Sequence, residues 1–183
     1  MSGAEQFRIR IKPIRRKSPK AHLPAPVPDE YPSNLLAVFI AKDIMTSLRS
    51  YARSDLTYEL GGVLVGVAGK SKGQAFIEIL NFIPARKGVS RRASFEFTNE
   101  AQQQIHEEKE AQFPELKIVG LFHTHPGYGI FLSSADQFID EHYFIEKFHV
   151  ALVLDPTKQD VEAGVFVWKK KGERLRVPLL IYS

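Results

Sequence analysis

The sequence predicts an α/β fold in which helices interrupt a mostly antiparallel β-sheet. Three observations carry that expectation. Apolar runs of strand length recur at residues 35–40, 59–66, 75–82, 116–122, 150–154, 161–168 and 175–182. Three intervening stretches have helical spacing or helix-start residues. No internal repeat divides the chain, so strands and helices must share one packed body.

Each element has a local reason. Residues 35–40 form the first strand, followed by a helix with Ile44, Leu48 and Tyr51 at helical spacing. Glu59 opens the next strand, and Gly69 and Gly73 flank a hairpin turn into the strand over 75–82. A basic loop spans 86–92, and Phe95 and Phe97 bracket a short extended piece. Thr98 or Asn99 caps a second helix running towards Glu110. The strand over 116–122 ends in His123-Thr124-His125-Pro126. A glycine-rich loop, 127–132, leads to Ser133, which starts a third helix reaching Phe148. Asp155-Pro156 closes the strand over 150–154, and two further strands end the chain.

Bulk properties bound the function. A length of 183 residues suits one domain with one sizeable core. No apolar run is long enough to span a membrane, and the basic N-terminus lacks the apolar region of a secretory signal. The chain has no cysteine, which excludes disulfides, a thiol nucleophile and thiolate metal ligands. These features lead to the expectation of a cytoplasmic protein. The net charge of +4 sits in the first 30 residues, with seven Lys/Arg against three Asp/Glu. Six prolines in that stretch and just beyond it disfavour helix. Phe7, Ile9 and Ile11 alternate with cations, a short strand pattern. Residues 1–33 are therefore read as an arm or linker, and 34–183 as the folded domain. Such an arm is either a solvated extension or a contact for nucleic acid or an acidic partner.

The chemistry concentrates in His123-Thr124-His125-Pro126 and Ser133-Ser134-Ala135-Asp136. Strand residues two apart share a face, so both imidazoles can reach one ion. Asp136 lies in the first turn of the following helix and can swing back to the strand end. Two imidazoles and a carboxylate leave one tetrahedral position open, as catalytic zinc needs. The ion would lower a water's pKa to roughly 7. Glu59 is the candidate base, and Ser133 the candidate donor to an oxyanion. Each piece also has a plainer reading. His-x-His can be a half-buried polar stripe, Glu59 a surface residue, and Ser133-x-x-Asp136 a helix capping box. Capping and metal binding are compatible, because a cap fixes the turn that aims Asp136. His22, His106, His142 and His149 have no partner at ligand spacing and are read as structural or solvated.

These residues resemble the motif of the JAMM (MPN+) metalloproteases: an upstream Glu, then His-x-His-Pro, seven residues to Ser, and x-x-Asp. The stretch from His123 to Asp136 is similar to the active-site segment of the family's deubiquitinating members. Glu59-Leu-Gly-Gly-Val-Leu-Val-Gly and Val150-Ala-Leu-Val-Leu-Asp-Pro-Thr resemble two of its core strands. The resemblance covers about residues 35–182 and implies a curved, mostly antiparallel sheet flanked by helices, cytidine-deaminase-like in outline. It further implies one zinc ion on His123, His125 and Asp136, Glu59 as base and proton shuttle, and Ser133 on the oxyanion. The implied reaction is cleavage after the C-terminal glycine of a ubiquitin-like protein, with that protein's activating and conjugating enzymes as further partners. The chain departs from eukaryotic members in four places, one of them a short loop from Arg86 to Phe97. It passes almost directly from Asp155-Pro156 into the next strand, it has Ile130-Phe131 where many carry Cys-Trp, and it ends at the last strand. That compactness resembles prokaryotic members. Two alternatives stay open: release of cysteine or a small amine from a ubiquitin-like sulfur carrier, and a non-catalytic scaffold or binding module.

Overall fold

The structure is a computed structural model and describes residues 23–29, 31 and 34–183. The elements are β1 (Ala37–Ala41), α1 (Lys42–Ala52), β2 (Gly61–Ser71), β3 (Gln74–Pro84), β4 (Val89–Ser90), β5 (Phe95–Glu96), α2 (Asn99–Gln112), β6 (Lys117–Thr124), α3 (Ser134–Tyr143), β7 (Val150–Asp155), β8 (Glu162–Lys170), β9 (Glu173–Val177) and β10 (Leu179–Tyr182). Eight strands form the main sheet in the order β10-β1-β3-β2-β6-β7-β8-β9, while β4 and β5 pair separately. Four of the main sheet's ladders are antiparallel; β1–β10, β1–β3 and β6–β7 are parallel. The mostly antiparallel α/β architecture is therefore as expected, with parallel joins where the intervening chain carries a helix or crosses the molecule.

The end of the chain differs from expectation in an informative way. Residues 175–182 read as one strand, yet Pro178 divides two. β9 pairs with β8 at one edge of the sheet and β10 with β1 at the other. Consecutive Cα atoms lie 3.8 Å apart, so Val177 and Leu179 are within roughly 7–8 Å of each other. The two edges of the sheet must meet there, which makes the sheet strongly curved. Proline, with no N–H to give a ladder, suits the crossing point.

Alternation along the strands sorts two cores onto the two faces. Leu64, Phe122, Leu152 and Leu154 face one side, where α1 buries Ile44, Met45, Leu48 and Ala52. Tyr51, Phe82 and Phe122 pack edge to edge there, with centroids 5.5–5.9 Å apart. Val63, Val65, Leu121 and Ala151 face the other side, against Ala101 and Ile105 of α2 and Phe144 after α3. The Leu121 side of β6 is also the His123 side, because the residues are two apart.

The arm is partly legible. Leu23, Ala25 and Val27 pack against the first core, and buried Tyr31 donates its hydroxyl hydrogen bond to the Leu36 carbonyl at 2.8 Å. These residues wrap the body. The expected strand around Phe7–Lys12 lies outside the described residues. Among those described, no helix is long and apolar enough to cross a membrane.

Three element boundaries shift. Lys72-Gly73 alone makes the hairpin turn, with Gly69 inside β2. β2 starts at Gly61, so Glu59 lies just ahead of it rather than within it. α3 ends at Tyr143 rather than Phe148, where the Phe144 N–H closes onto the Asp140 carbonyl. Asp140 also forms a bidentate pair with Arg174 of β9, whose guanidinium stacks 3.7 Å from the Trp168 ring centroid. The paired side chains are 1% and 5% exposed, so each charge depends on the other. Arg174→Ala is expected to destabilise the domain by about 3–5 kcal/mol in denaturant unfolding. The double replacement Asp140→Leu/Arg174→Met should recover most of that loss, since it leaves no buried charge unpaired.

Candidate metal centre

β6 delivers the two histidines. His123 lies within the strand, and His125 follows its last residue. Between them, Thr124 clamps the neighbouring chain: its N–H donates to the Leu60 carbonyl and its Oγ1 accepts the Leu60 N–H, both at 2.8 Å. Leu60 is the residue after Glu59, so this clamp sets Glu59 beside the histidines. Gly62 lets β2 come close enough, since a Cβ there would meet the Ile83 carbonyl oxygen at 2.3 Å and the Phe122 ring at 2.6 Å. The Glu59 N–H also donates to the Arg91 carbonyl at 2.8 Å, which ties Glu59 to the β4–β5 hairpin. α2 steadies that hairpin's root. Buried Gln104 accepts the Arg86 N–H at 3.0 Å and donates to the Pro84 carbonyl at 3.1 Å.

α3 delivers Asp136. Its N–H donates to Ser133 Oγ at 3.1 Å, while its own Oδ2 accepts the Ser133 N–H at 2.7 Å. That is the reciprocal capping box anticipated from Ser-x-x-Asp, and it turns the carboxylate back towards β6. The Ser133 hydroxyl oxygen accepts the Asp136 N–H, and the hydroxyl retains one hydrogen of its own to donate.

The donor atoms converge. His123 Nε2 and His125 Nε2 are 3.0 Å apart, with Asp136 Oδ1 3.3 Å from the first and Oδ2 3.5 Å from the second. Ligands about 2.0–2.1 Å from a tetrahedral zinc ion stand roughly 3.3 Å from one another, so these spacings suit a single ion. All three residues are buried, and they are the one such group of three among the described residues. The tautomer agrees. His125 Nδ1 lies 3.1 Å from the Gly129 carbonyl, which can only accept; Nδ1 therefore carries a proton, which leaves Nε2 as the atom an ion would take. Two facing Nε2 atoms beside a carboxylate make a donor set that a cation satisfies.

Glu59 stands beside this set, with Oε1 4.0 Å from His125 Nε2. Its residue is 3% exposed, and among the described residues Oε2 is buried without a hydrogen-bond partner. A buried acceptor left so is costly. Burial, against the opposing pull of His125, pushes the Glu59 carboxyl up to about 7. Asp136 goes the other way. Burial opposes its charge, but hydrogen bonds with His123, His125 and Ser133 outweigh it and hold the carboxyl well below the usual range. Two neighbouring carboxyls are thus pushed apart, Asp136 held ionised and Glu59 raised towards neutrality.

The surroundings are apolar. The Phe131 ring lies 4.7 Å from His125 and remains half-exposed, with exposed Tyr58 next to Glu59 and exposed Tyr128 in the following loop. The other described histidines stay apart: His106 is exposed, His142 stacks on Phe138, and His149 packs between Phe144 and Phe148.

The five expected site residues therefore converge on one end of β6. Sequence reasoning missed Thr124, which gave no signal beyond standing between two histidines, and Asp155. The latter marks itself only as a carboxylate in an apolar strand. Thr124→Val is expected to strand the Leu60 N–H and lower stability by about 1–3 kcal/mol. Turnover should fall while zinc stoichiometry in a titration is unchanged, and Thr124→Ser should restore both losses.

Fold and donor set together define the class: an α/β domain with a candidate catalytic metal centre at the end of a central strand. The chain belongs to the family of prokaryotic homologs of the JAB domain, whose model matches residues 41–176. It is similar to COP9 signalosome complex subunit 5a of Arabidopsis thaliana, with 28% identity over 158 residues, 79% of this chain and 41% of that protein. It is similar also to COP9 signalosome complex subunit 5 of Gibberella zeae, with 29% identity over 145 residues, 74% of this chain and 41% of that protein. The chain thus matches about two fifths of the length of these relatives. The solution structure of protein DSY2949 from Desulfitobacterium hafniense shares the fold, with a TM-score of 0.61 at 18% identity over 79% of this chain and 92% of that one. The JAB/MPN fold expected from the sequence resemblance is the fold observed.

Proposed function

We propose that this protein is a zinc metallopeptidase that hydrolyses the amide after the C-terminal glycine of a ubiquitin-like protein. The observation that carries the reading is the buried Glu59 carboxylate facing the His123–His125–Asp136 donor set. A binding module has no need of a costly buried acid at that place, whereas a hydrolase has.

His123, His125 and Asp136 would hold the ion. An ion there supplies Lewis acidity and brings the pKa of a coordinated water to roughly 7. Glu59 takes a proton from the attacking water as its oxygen adds to the carbonyl carbon. Ser133 donates its hydroxyl to the oxygen that gains negative charge. Glu59 then returns the proton to the leaving nitrogen as the C–N bond breaks, leaving a carboxylic acid and an amine, which ionise to carboxylate and ammonium in water. Phe131, whose ring lies 4.7 Å from His125, offers an apolar rim that limits water at the reacting bond.

The substrate class rests on family membership and on shape. Val89 and Ser90 form a short exposed strand in the hairpin tied to Glu59. An extended glycine-rich tail could add to that edge and present its last peptide bond to the donor set. Activating and conjugating enzymes of the same ubiquitin-like protein are the proposed further partners. The short link from β7 to β8, residues 156–161, leaves the surface open to a smaller substrate side as well.

The test is direct. Zinc-loaded protein should cut fusions in which a ubiquitin-like domain ends in glycine before a peptide or a lysine side chain. Cleavage only of cysteine-linked carriers would move the reading to the sulfur-carrier alternative. No cleavage of any such substrate would favour the scaffold.

A further inference from the structure

We infer that Asp155 is a positioning residue for the metal centre: through Gly129 it fixes the tautomer and aim of His125. Asp155 ends β7 and is fully buried, yet its carboxylate bonds to Gly127, Gly129 and Thr157 rather than to a candidate ligand. Its Oδ1 accepts the Gly127 N–H at 3.0 Å, the Thr157 N–H at 3.0 Å and the Thr157 hydroxyl at 2.6 Å. Its Oδ2 accepts the Gly129 N–H at 3.2 Å. The Gly129 carbonyl in turn accepts the His125 Nδ1–H. A continuous chain therefore runs from the Asp155 carboxylate through one residue's amide and carbonyl to the imidazole.

The loop requires this anchor. Gly127 and Gly129 have φ of +80° and +81°, in the left-handed region where glycine pays no side-chain penalty but gains no rigidity. Among the described residues nothing lies within 4 Å of where a Cβ at Gly129 would be, so no neighbour packs on that side of the residue. The Asp155 carboxylate supplies what packing does not. The β7 backbone completes the grip, since the His125 N–H donates to the Leu154 carbonyl at 2.8 Å. Residues 154 and 155 thus hold His125 at both its backbone and its ring. Outer partners of this type orient a ligating histidine and raise its basicity.

The two carboxylate oxygens have separate jobs, so the inference can be tested cleanly. It rests on His125 being a metal ligand, and zinc affinity is read without reference to peptidase activity. In Asp155→Asn, the amide oxygen can keep the Gly127 and Thr157 donors while the NH2 group faces the Gly129 N–H, which it cannot satisfy. Zinc affinity, measured by chelator competition, is expected to fall about 10–100-fold. The visible spectrum of the cobalt-substituted protein should shift as the ligand field at His125 changes. Thr157→Val removes a donor from the other oxygen and should lower thermal stability while leaving zinc affinity and the cobalt spectrum as in wild type. Wild-type affinity and spectrum in Asp155→Asn, with only stability reduced, would make Asp155 merely structural and overturn the inference. Should Asp155→Asn fail to fold, nitrogen-detected NMR of the zinc-loaded wild type decides. His125 must carry a protected Nδ1–H, and a freely exchanging or absent Nδ1–H rejects the chain. Wild-type protein that binds no zinc would reject the metal centre itself, a result distinct from either.

Discussion

Glu59→Gln is expected to bind zinc as wild type does and to turn over roughly 100- to 10,000-fold more slowly. The amide fills the same space but accepts no proton, so the step that activates water and the step that expels the amine both suffer. The pH profile adds an independent signature. A base must be ionised to work, so kcat/KM falls as pH drops through the Glu59 pKa. Burial puts that pKa at about 7 before any ion binds. A nearby divalent cation favours the anion, so the acid limb of the loaded enzyme should lie below about 7, and Glu59→Gln should lack it. Stability gives a second readout without zinc. A carboxyl raised on folding is more costly to ionise in the fold than in the unfolded chain, so its neutral form supports the fold at low pH and that support is lost as pH rises through about 7. Metal-free Glu59→Gln should therefore unfold at a higher temperature than metal-free wild type at pH 8. Near-normal turnover in Glu59→Gln would require another base.

His125→Ala is expected to lose zinc and activity together. Its Nε2 is within 3.5 Å of both His123 Nε2 and Asp136 Oδ2, so removing it opens the donor set at its centre. The loss of affinity should well exceed the ~10–100-fold that loss of an outer partner costs. Thermal unfolding reads it plainly. An ion that binds only the folded state at 100 times its Kd stabilises by about 2.7 kcal/mol, so wild type should melt higher in zinc and His125→Ala should not. An unchanged zinc-dependent shift in His125→Ala would remove His125 from the site.

How much of this could be read from the sequence depended on the sequence distance over which each relation acts. His123, His125, Ser133 and Asp136 lie within 14 residues, where strand alternation and a capping box are local rules. Glu59 lies far away in sequence and comes to the site through pairing of β2 with β6. Its local mark is only that of a carboxylate at the head of an apolar strand, and the family resemblance adds the role of proton shuttle. Asp155 was read only as the close of a strand, because its bonds to Gly127 and Gly129 span more than 20 residues. The Asp140–Arg174 pair likewise joins α3 to β9 across 34 residues. The course of the last strands was hidden for another reason. The apolar pattern continues through Pro178, and only the curvature of the whole sheet sends β10 to the opposite edge.

The central claim is that His123, His125 and Asp136 share one metal ion. Anomalous diffraction at the zinc edge from crystals of the zinc-loaded protein tests it most directly. The account predicts a single peak about 2.0–2.2 Å from His123 Nε2, His125 Nε2 and an Asp136 carboxylate oxygen, with Glu59 outside that shell. No peak at the three side chains, or one on His142 or His149 instead, would contradict it.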